Sequence, residues 1–146
     1  MRMITRLTGL AAGVMLAAGA FAVPSSAATT ARGVDLYTHL SGSSAYPAAT
    51  GYSEYHQHMG MMRGREVEVN LNHLTRLAGQ QVFVYLNGTK VGGMRVSSGG
   101  HAYRHWETWN GDRVPRCSAG SAVKIRTSGG GLIATGTYTR HHHWRR

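Results

Sequence analysis

Apolar and polar residues alternate with a period of two through most of the chain beyond position 33. The stretch EVEVNLN at 66–72 has an apolar residue at every second position, whereas VFVYL at 82–86 is apolar throughout. Neighbouring side chains on a strand point to opposite faces of a sheet. The first stretch therefore predicts a strand with one buried face, and the second predicts a strand near the centre of a sheet.

Six further segments show strand patterns, with turn signals between them. These segments are 34–40, 50–56, 90–96, 101–108, 123–126 and 132–138. The strongest hairpin signal is Asn87-Gly88, directly after the 82–86 stretch. No segment has a sustained helical period, although 72–78 fits one short helical turn. Seven to eight short strands, with turn signals every 8–14 residues, predict an all-β sandwich or barrel.

Residues 1–27 have the pattern of a secretory signal peptide. Arg2 and Arg6 precede an apolar run at 7–23, and small cleavage-site residues follow between 25 and 28. An uncleaved N-terminal anchor is the alternative. No later apolar run approaches the ~18 residues of a membrane-spanning helix, so we expect a secreted, extracellular protein.

The expected mature chain is strongly basic. Without Arg2 and Arg6, 14 of the 16 basic residues remain against 6 acidic ones, which gives a net charge of +8 before nine histidines are counted. Such a chain attracts polyanions, although a positive charge also simply keeps a secreted protein soluble. We divide the mature chain into one domain at 28–139 and a basic, histidine-rich tail, RHHHWRR, at 140–146.

The start of this domain resembles a known family. The stretch HLSGSSAYPAATGYSEY contains Leu-Ser-Gly, a short loop with a proline, and Ala-Thr-Gly before the next strand. The residues concerned are Leu40, Ser41, Gly42, Pro47, Ala49, Thr50 and Gly51. Through these residues, the chain resembles the CHRD domain over 36–55. The rest of the chain resembles that domain more loosely. The later stretch GSAVKIRTSGGGLIATGTY keeps the family's strand–Gly–strand layout but lacks its histidine.

The resemblance implies a single antiparallel β-sandwich, Ig-like or superoxide-dismutase-like. It also implies a binding or interaction module, and it transfers no catalytic residue. The whole chain further resembles a class of small secreted proteins from actinobacteria. That class has no assigned role, so only the CHRD resemblance favours a binding protein, and neither resemblance transfers a catalytic residue.

Histidines and methionines are concentrated in YHQHMGMMRG at 55–64. On a strand, His56 and His58 point to the same side, and two adjacent imidazoles can bind zinc or copper at ~2.0 Å. A third ligand has to come from a distant strand, and His101 or His105 is the candidate. The methionines suit copper(I), but the glycines among them predict a turn. The simple alternative is a set of solvent-facing histidines on an antiparallel sheet.

Cations on the predicted strands offer a surface for polyanions. The candidates are Arg95, Arg104, Lys124 and Arg126, with Arg140, Arg145 and Arg146 in the tail. Trp144 among the tail arginines suits a membrane interface or a polyanion, and a solvated end is the alternative. Tyr103, Trp106 and Trp109 have the chemistry to stack on bases, but an exported protein is not expected to meet nucleic acid as its partner.

Cys117 is the only cysteine, so no internal disulfide forms. A lone thiol is most often a small buried hydrophobic group, and an intermolecular disulfide is the alternative. Nearby cations such as Arg116 favour a thiolate, but neither a Gly-x-Ser-x-Gly elbow nor a phosphate-binding loop is present in the sequence. We therefore expect a non-enzymatic, monomeric or weakly oligomeric module. Its expected partner is an anionic cell-envelope polymer or a protein, and the alternative is a copper- or zinc-binding protein built on His56 and His58.

Overall fold

The structure is a computed structural model that describes residues 33–61 and 63–141. The predicted signal peptide at 1–27 lies outside the described residues, as do Arg145 and Arg146 of the tail. Within the described part, no helix has both the length and the apolar character needed to cross a membrane.

Nine strands carry most of the regular structure of the described residues. They are β1 (Val34–Gly42), β2 (Thr50–His58), β3 (Gly64–Asn72), β4 (Gln81–Leu86), β5 (Thr89–Arg95), β6 (Ala102–Glu107), β7 (Ala122–Thr127), β8 (Leu132–Thr137) and β9 (Thr139–Arg140). The eight predicted strands correspond to β1–β8, with ends within two residues of the prediction. The short β9 was not predicted; it pairs with β1 and includes Arg140, which the sequence assigned to the tail.

One antiparallel sheet contains these strands in the order β5-β4-β7-β8-β1-β2-β3-β6. The all-β prediction is confirmed, and β4 lies inside the sheet, between β5 and β7, as its apolar faces predict. Two residue pairs, Ser41 with Thr135 and Gly42 with Ala134, join β1 to β8. Because of that junction, the hydrogen bonds of the described strands run through one nearly closed sheet and do not divide it into the two sheets of a sandwich.

The edge strands β5 and β6 meet through side chains, and no backbone ladder pairs them in the described chain. The guanidinium of Arg104 donates a hydrogen bond to the carbonyl oxygen of Gly93 at 2.9 Å. The indole of Trp106 lies against Gly92, where an added Cβ would come within 2.4 Å of the indole Nε1. Glycine at position 92 therefore lets a buried tryptophan fill the seam.

The inward side chains of the strands form one hydrophobic core. Its largest fully buried members include Trp106, Tyr55 and Tyr138. The buried hydroxyls of Tyr138 and Ser53 share a hydrogen bond at 2.6 Å, so both polar groups are satisfied inside the core.

The Asn87-Gly88 turn joins β4 to β5 as predicted. Both residues have a positive φ, 48° and 80°, which is the backbone of the tight hairpin turn that Asn-Gly favours. The Asn87 side chain also donates to Ser121 Oγ and accepts from the Ala122 N–H, both at 2.9 Å. The turn is thereby tied to the start of β7.

Candidate functional site

The outward side of β4, β5 and β7 is basic. Along β4 and β7 every second residue is buried, which leaves Lys124 and Arg126 on the outer side. The register places Lys90 and Lys124 on either side of Tyr85, and places Arg126 beside Phe83. We call this surface the basic face, and its cations are Lys90, Arg95, Lys124 and Arg126.

The aromatic side chain of Phe83 supports the basic face. The Lys90 ammonium lies 3.7 Å from the centroid of the Phe83 ring, a cation–π contact that holds the charge at the surface. Arg126 donates to the carbonyl oxygen of Gly130 at 2.7 Å, whereas Lys124 and Arg95 are exposed. None of the fully described strands β4, β5, β7 and β8 contains an acidic residue, so no local negative charge offsets these cations.

The structure brings together some of the predicted cations and separates others. Arg95, Lys124 and Arg126 share the basic face. Arg104 lies at the seam, 5.4 Å from the Trp106 ring. Arg140 lies on β9, which pairs only with β1 among the described strands. Lys90 was not among the predicted binding residues. Strict alternation would put it and Arg95 on opposite faces, and the register irregularity between Val84 and Tyr85 puts both on the outer side.

The outward side of β1, β2, β3 and β6 has the opposite character. It carries the acidic residues Asp35, Glu54, Glu66, Glu68 and Glu107 and the histidines His39, His56, His58 and His105. We call it the histidine–carboxylate face. Five of the six acidic residues of the chain lie on it, so the two outer faces differ sharply in charge.

Every ion pair among the described residues joins a histidine to a carboxylate of this face. His56 Nδ1 lies 2.8 Å from Asp35 Oδ1. His58 Nε2 lies 3.3 Å from Glu66 Oε1, and His105 Nε2 lies 3.5 Å from Glu66 Oε2. Neither lysine nor arginine takes part in an ion pair within the described ranges, so imidazoles are the basic partners of these carboxylates.

The predicted His56–His58 pair lies on one side of β2 as expected, but its members have different partners. His56 contacts Asp35, towards β1, and His58 contacts Glu66, towards β3. Of the two predicted third ligands, His101 faces Asn72, with its Nδ1 2.6 Å from the amide oxygen. His105 instead forms a group with Glu66 and Glu107.

Ligand atoms of Glu66, His105 and Glu107 all lie within 4.8 Å of one another, and this is the one such group in the described chain. The sequence predicted His105 as a possible third ligand, but it did not predict Glu66 or Glu107 as metal ligands. Each residue lies on the outer side of its strand by simple alternation, but only the pairing of β3 with β6 brings the strands together.

The methionines of the 55–64 stretch do not add to this group. Met59 and Met61 are exposed, and the Met59 sulfur accepts a hydrogen bond from Gln57 Nε2 at 3.4 Å. Met62 lies outside the described residues. The copper(I) arrangement therefore gains nothing from the described methionines.

Cys117 is buried, as expected of a lone structural cysteine. Burial raises the pKa of its thiol to about 11, and this outweighs the Ser121 hydrogen bond and the charge of Arg65, both of which lower that pKa. The expected activation by neighbouring cations is therefore overridden by desolvation. The thiol remains protonated and unreactive near neutral pH.

A cavity of about 370 Å³ opens at the end of the β2–β3 hairpin. Three arginines, Arg63, Arg65 and Arg116, contribute to its wall together with His58. It is a second positively charged region, separate from the basic face.

Comparison with family models, with curated proteins and with solved structures gives no match for this chain. The resemblance to the CHRD domain stays a prediction from the residues at 36–55.

Proposed function

We propose that the protein is a secreted, non-enzymatic binding domain whose basic face binds an anionic polymer of the cell envelope. The observation that carries this proposal is the charge separation between the two outer faces. Four cations lie on β5 and β7, the two strands that flank β4, and no acidic residue lies in β4, β5, β7 or β8, all of which are fully described.

The magnitude of this attraction suits a repeating polymer better than a single small anion. A lysine or arginine close to an anionic surface contributes about 1 kcal/mol. Four such charges give about 4 kcal/mol, which corresponds to a dissociation constant of about 1 mM for one face on one segment. Useful retention therefore requires a target that presents many anionic groups. The attraction between the basic face and the polymer also weakens as salt is added, because the Debye length is only ~8 Å at physiological ionic strength.

The sequence supports the same conclusion from another direction. A secretory signal at 1–27 would bring the domain to the envelope, and the CHRD-like opening segment favours an interaction module with an Ig-like or superoxide-dismutase-like sandwich. Both of these stay predictions. A protein partner with an acidic surface is the competing target for the same face.

The test is salt-dependent retention on immobilised poly(glycerol phosphate). The variant Arg95→Gln with Lys124→Gln removes two exposed charges from the basic face. The control Arg76→Gln with Arg113→Gln removes two exposed charges from outside the strands, so it has the same net charge as the first variant. At about 1 kcal/mol per charge, we expect about 30-fold weaker binding for the first variant and less than threefold for the control.

Equal losses in the two variants would show that net charge alone drives retention, and the basic face would then be wrong as a site. If the unmodified protein is not retained at low salt, the polymer is not its target, and an acidic protein partner becomes the favoured target.

A further inference from the structure

The histidine–carboxylate face poses an electrostatic problem at Glu66 and Glu107. The register of β3 and β6 places these two residues directly opposite each other. Like charges at directly opposed positions on neighbouring strands repel each other. Within the described ranges no lysine or arginine forms an ion pair with either carboxylate, so the imidazoles of His58 and His105 are their basic partners there.

His105 lies between the two carboxylates. Its Nδ1 is 3.3 Å from Glu107 Oε1, and its Nε2 is 3.5 Å from Glu66 Oε2. Two ligands of one tetrahedral zinc ion, each ~2.0–2.1 Å from the metal, are about 3.3 Å apart. These two contacts use different nitrogens of one ring, and a single ion binds only one of them. With one ligand atom from each residue, the three atoms lie within 4.8 Å of one another, so side-chain rotations have to bring one nitrogen and two oxygens to a common centre.

The surroundings of the group hold these side chains in place. Asn110 Nδ2 donates to Glu107 Oε2 at 2.6 Å, which fixes the orientation of that carboxylate. The backbone N–H of Glu107 donates to Asp112 Oδ2 at 3.0 Å, which fixes the end of β6. Hydrogen bonds of this kind to ligating carboxylates orient metal ligands.

A further imidazole lies beside the group. His58 Nε2 is 3.3 Å from Glu66 Oε1, on the opposite carboxylate oxygen from the one that His105 contacts. The ring of Trp109 lies 5.6 Å from the His58 ring, measured between centroids. His58 is the one member of the predicted His56–His58 pair that faces this cluster.

The geometry points to a zinc site formed by Glu66, His105 and Glu107, with His58 holding the other carboxylate oxygen of Glu66. The donor set is nitrogen and oxygen, which suits Zn²⁺. Calcium and magnesium prefer oxygen donors alone, and copper(I) prefers sulfur. The ion removes the repulsion between the opposed carboxylates. The site is independent of the basic face, which lies on other strands.

The test is zinc titration of the full chain by isothermal calorimetry, with zinc as the only added metal. The tail histidines bind metal by themselves, so the reference protein carries His141→Ala, His142→Ala and His143→Ala. We expect one zinc ion per reference chain. Glu66→Gln and His105→Ala are each expected to weaken binding by at least tenfold, and His58→Ala by less. The control is His56→Ala, which removes an imidazole from the same face and the same strand as His58 and is expected to change the affinity by less than twofold.

Glu66→Gln keeps the size and shape of the side chain, and thermal melting without zinc shows whether each variant is folded. Absence of one-to-one zinc binding in the folded reference protein overturns the proposal. So does unchanged affinity in folded Glu66→Gln, or an equal loss in His56→Ala. Visible absorption of the cobalt(II) form provides an independent readout, because a site with these ligands gives bands that Glu66→Gln shifts or removes.

Discussion

The seam between β5 and β6 makes a sharp prediction about a single methyl group at position 92. An alanine Cβ there would lie 2.4 Å from Trp106 Nε1 and 3.1 Å from Cε2. Trp106 is 1% exposed, so its ring has little room to move away. Overpacking of this kind costs about 1–3 kcal/mol. The reduced backbone freedom of alanine returns about 0.5–1 kcal/mol. We therefore expect Gly92→Ala to lower the free energy of unfolding by about 1–2 kcal/mol.

The next residue is a matched control. A Cβ at Gly93 would meet Gln81 Nε2 at 2.6 Å, which is the far end of an exposed and flexible side chain. The Phe83 ring, at 3.0 Å, has to move only by a few tenths of an ångström. Gly93→Ala should therefore change the free energy of unfolding by less than about 0.5 kcal/mol, because the intrinsic benefit of alanine offsets the small adjustment.

A double-mutant cycle with Trp106→Phe isolates the contact. Phenylalanine lacks the indole nitrogen that the added methyl group meets, so Gly92→Ala should cost little in that background. We expect a coupling energy of at least about 1 kcal/mol. Urea unfolding followed by far-ultraviolet circular dichroism measures it, and a change of 1–2 kcal/mol moves the midpoint by roughly 0.5–1 M.

Two results would refute this reasoning. If Gly92→Ala is no more destabilising than Gly93→Ala, the indole does not pack against position 92. If the cost of Gly92→Ala is the same with Trp106 and with Phe at 106, the two residues do not interact, and the sheet is not closed by that side chain.

Two further predictions concern the thiol and the hairpin turn. Because burial raises the Cys117 pKa to about 11 in the folded protein, the stability that the neutral thiol gives is complete below the unfolded value of about 8.5 and is lost as pH rises towards 11. The free energy of unfolding should therefore fall between pH 8 and pH 11, and it should fall less in Cys117→Ala. An equally large fall in that variant would contradict this role of the thiol. Asn87→Ala removes two hydrogen bonds and leaves a positive φ to a residue that disfavours it, so it should destabilise by about 1–2 kcal/mol. Asn87→Gly should recover only the backbone part, and an equal effect of both substitutions in thermal melts would show that the side-chain hydrogen bonds contribute nothing.

The sequence by itself determined the strands and their inward sides. Alternation is a local property, since it follows from the two-residue period of an extended backbone, and it placed all eight main strands of the described chain. The Asn87-Gly88 turn was equally local, because few residue pairs tolerate two successive positive φ values. For the same reason, the sequence put His56 and His58 on one side of β2.

Only the tertiary structure decided which strands became neighbours. The pairing of β1 with β8 joined the strands into one nearly closed sheet, and Ser41 and Thr135, which it brings together, are far apart in the chain. The pairing of β3 with β6 moved the candidate metal centre from the His56–His58 pair to Glu66, His105 and Glu107. Strand order depends on long-range packing and on the entropy of loop closure, and neither produces a periodic pattern in the sequence. A side chain's outward direction is therefore predictable from its neighbours in sequence, but its chemical partners across the sheet are not.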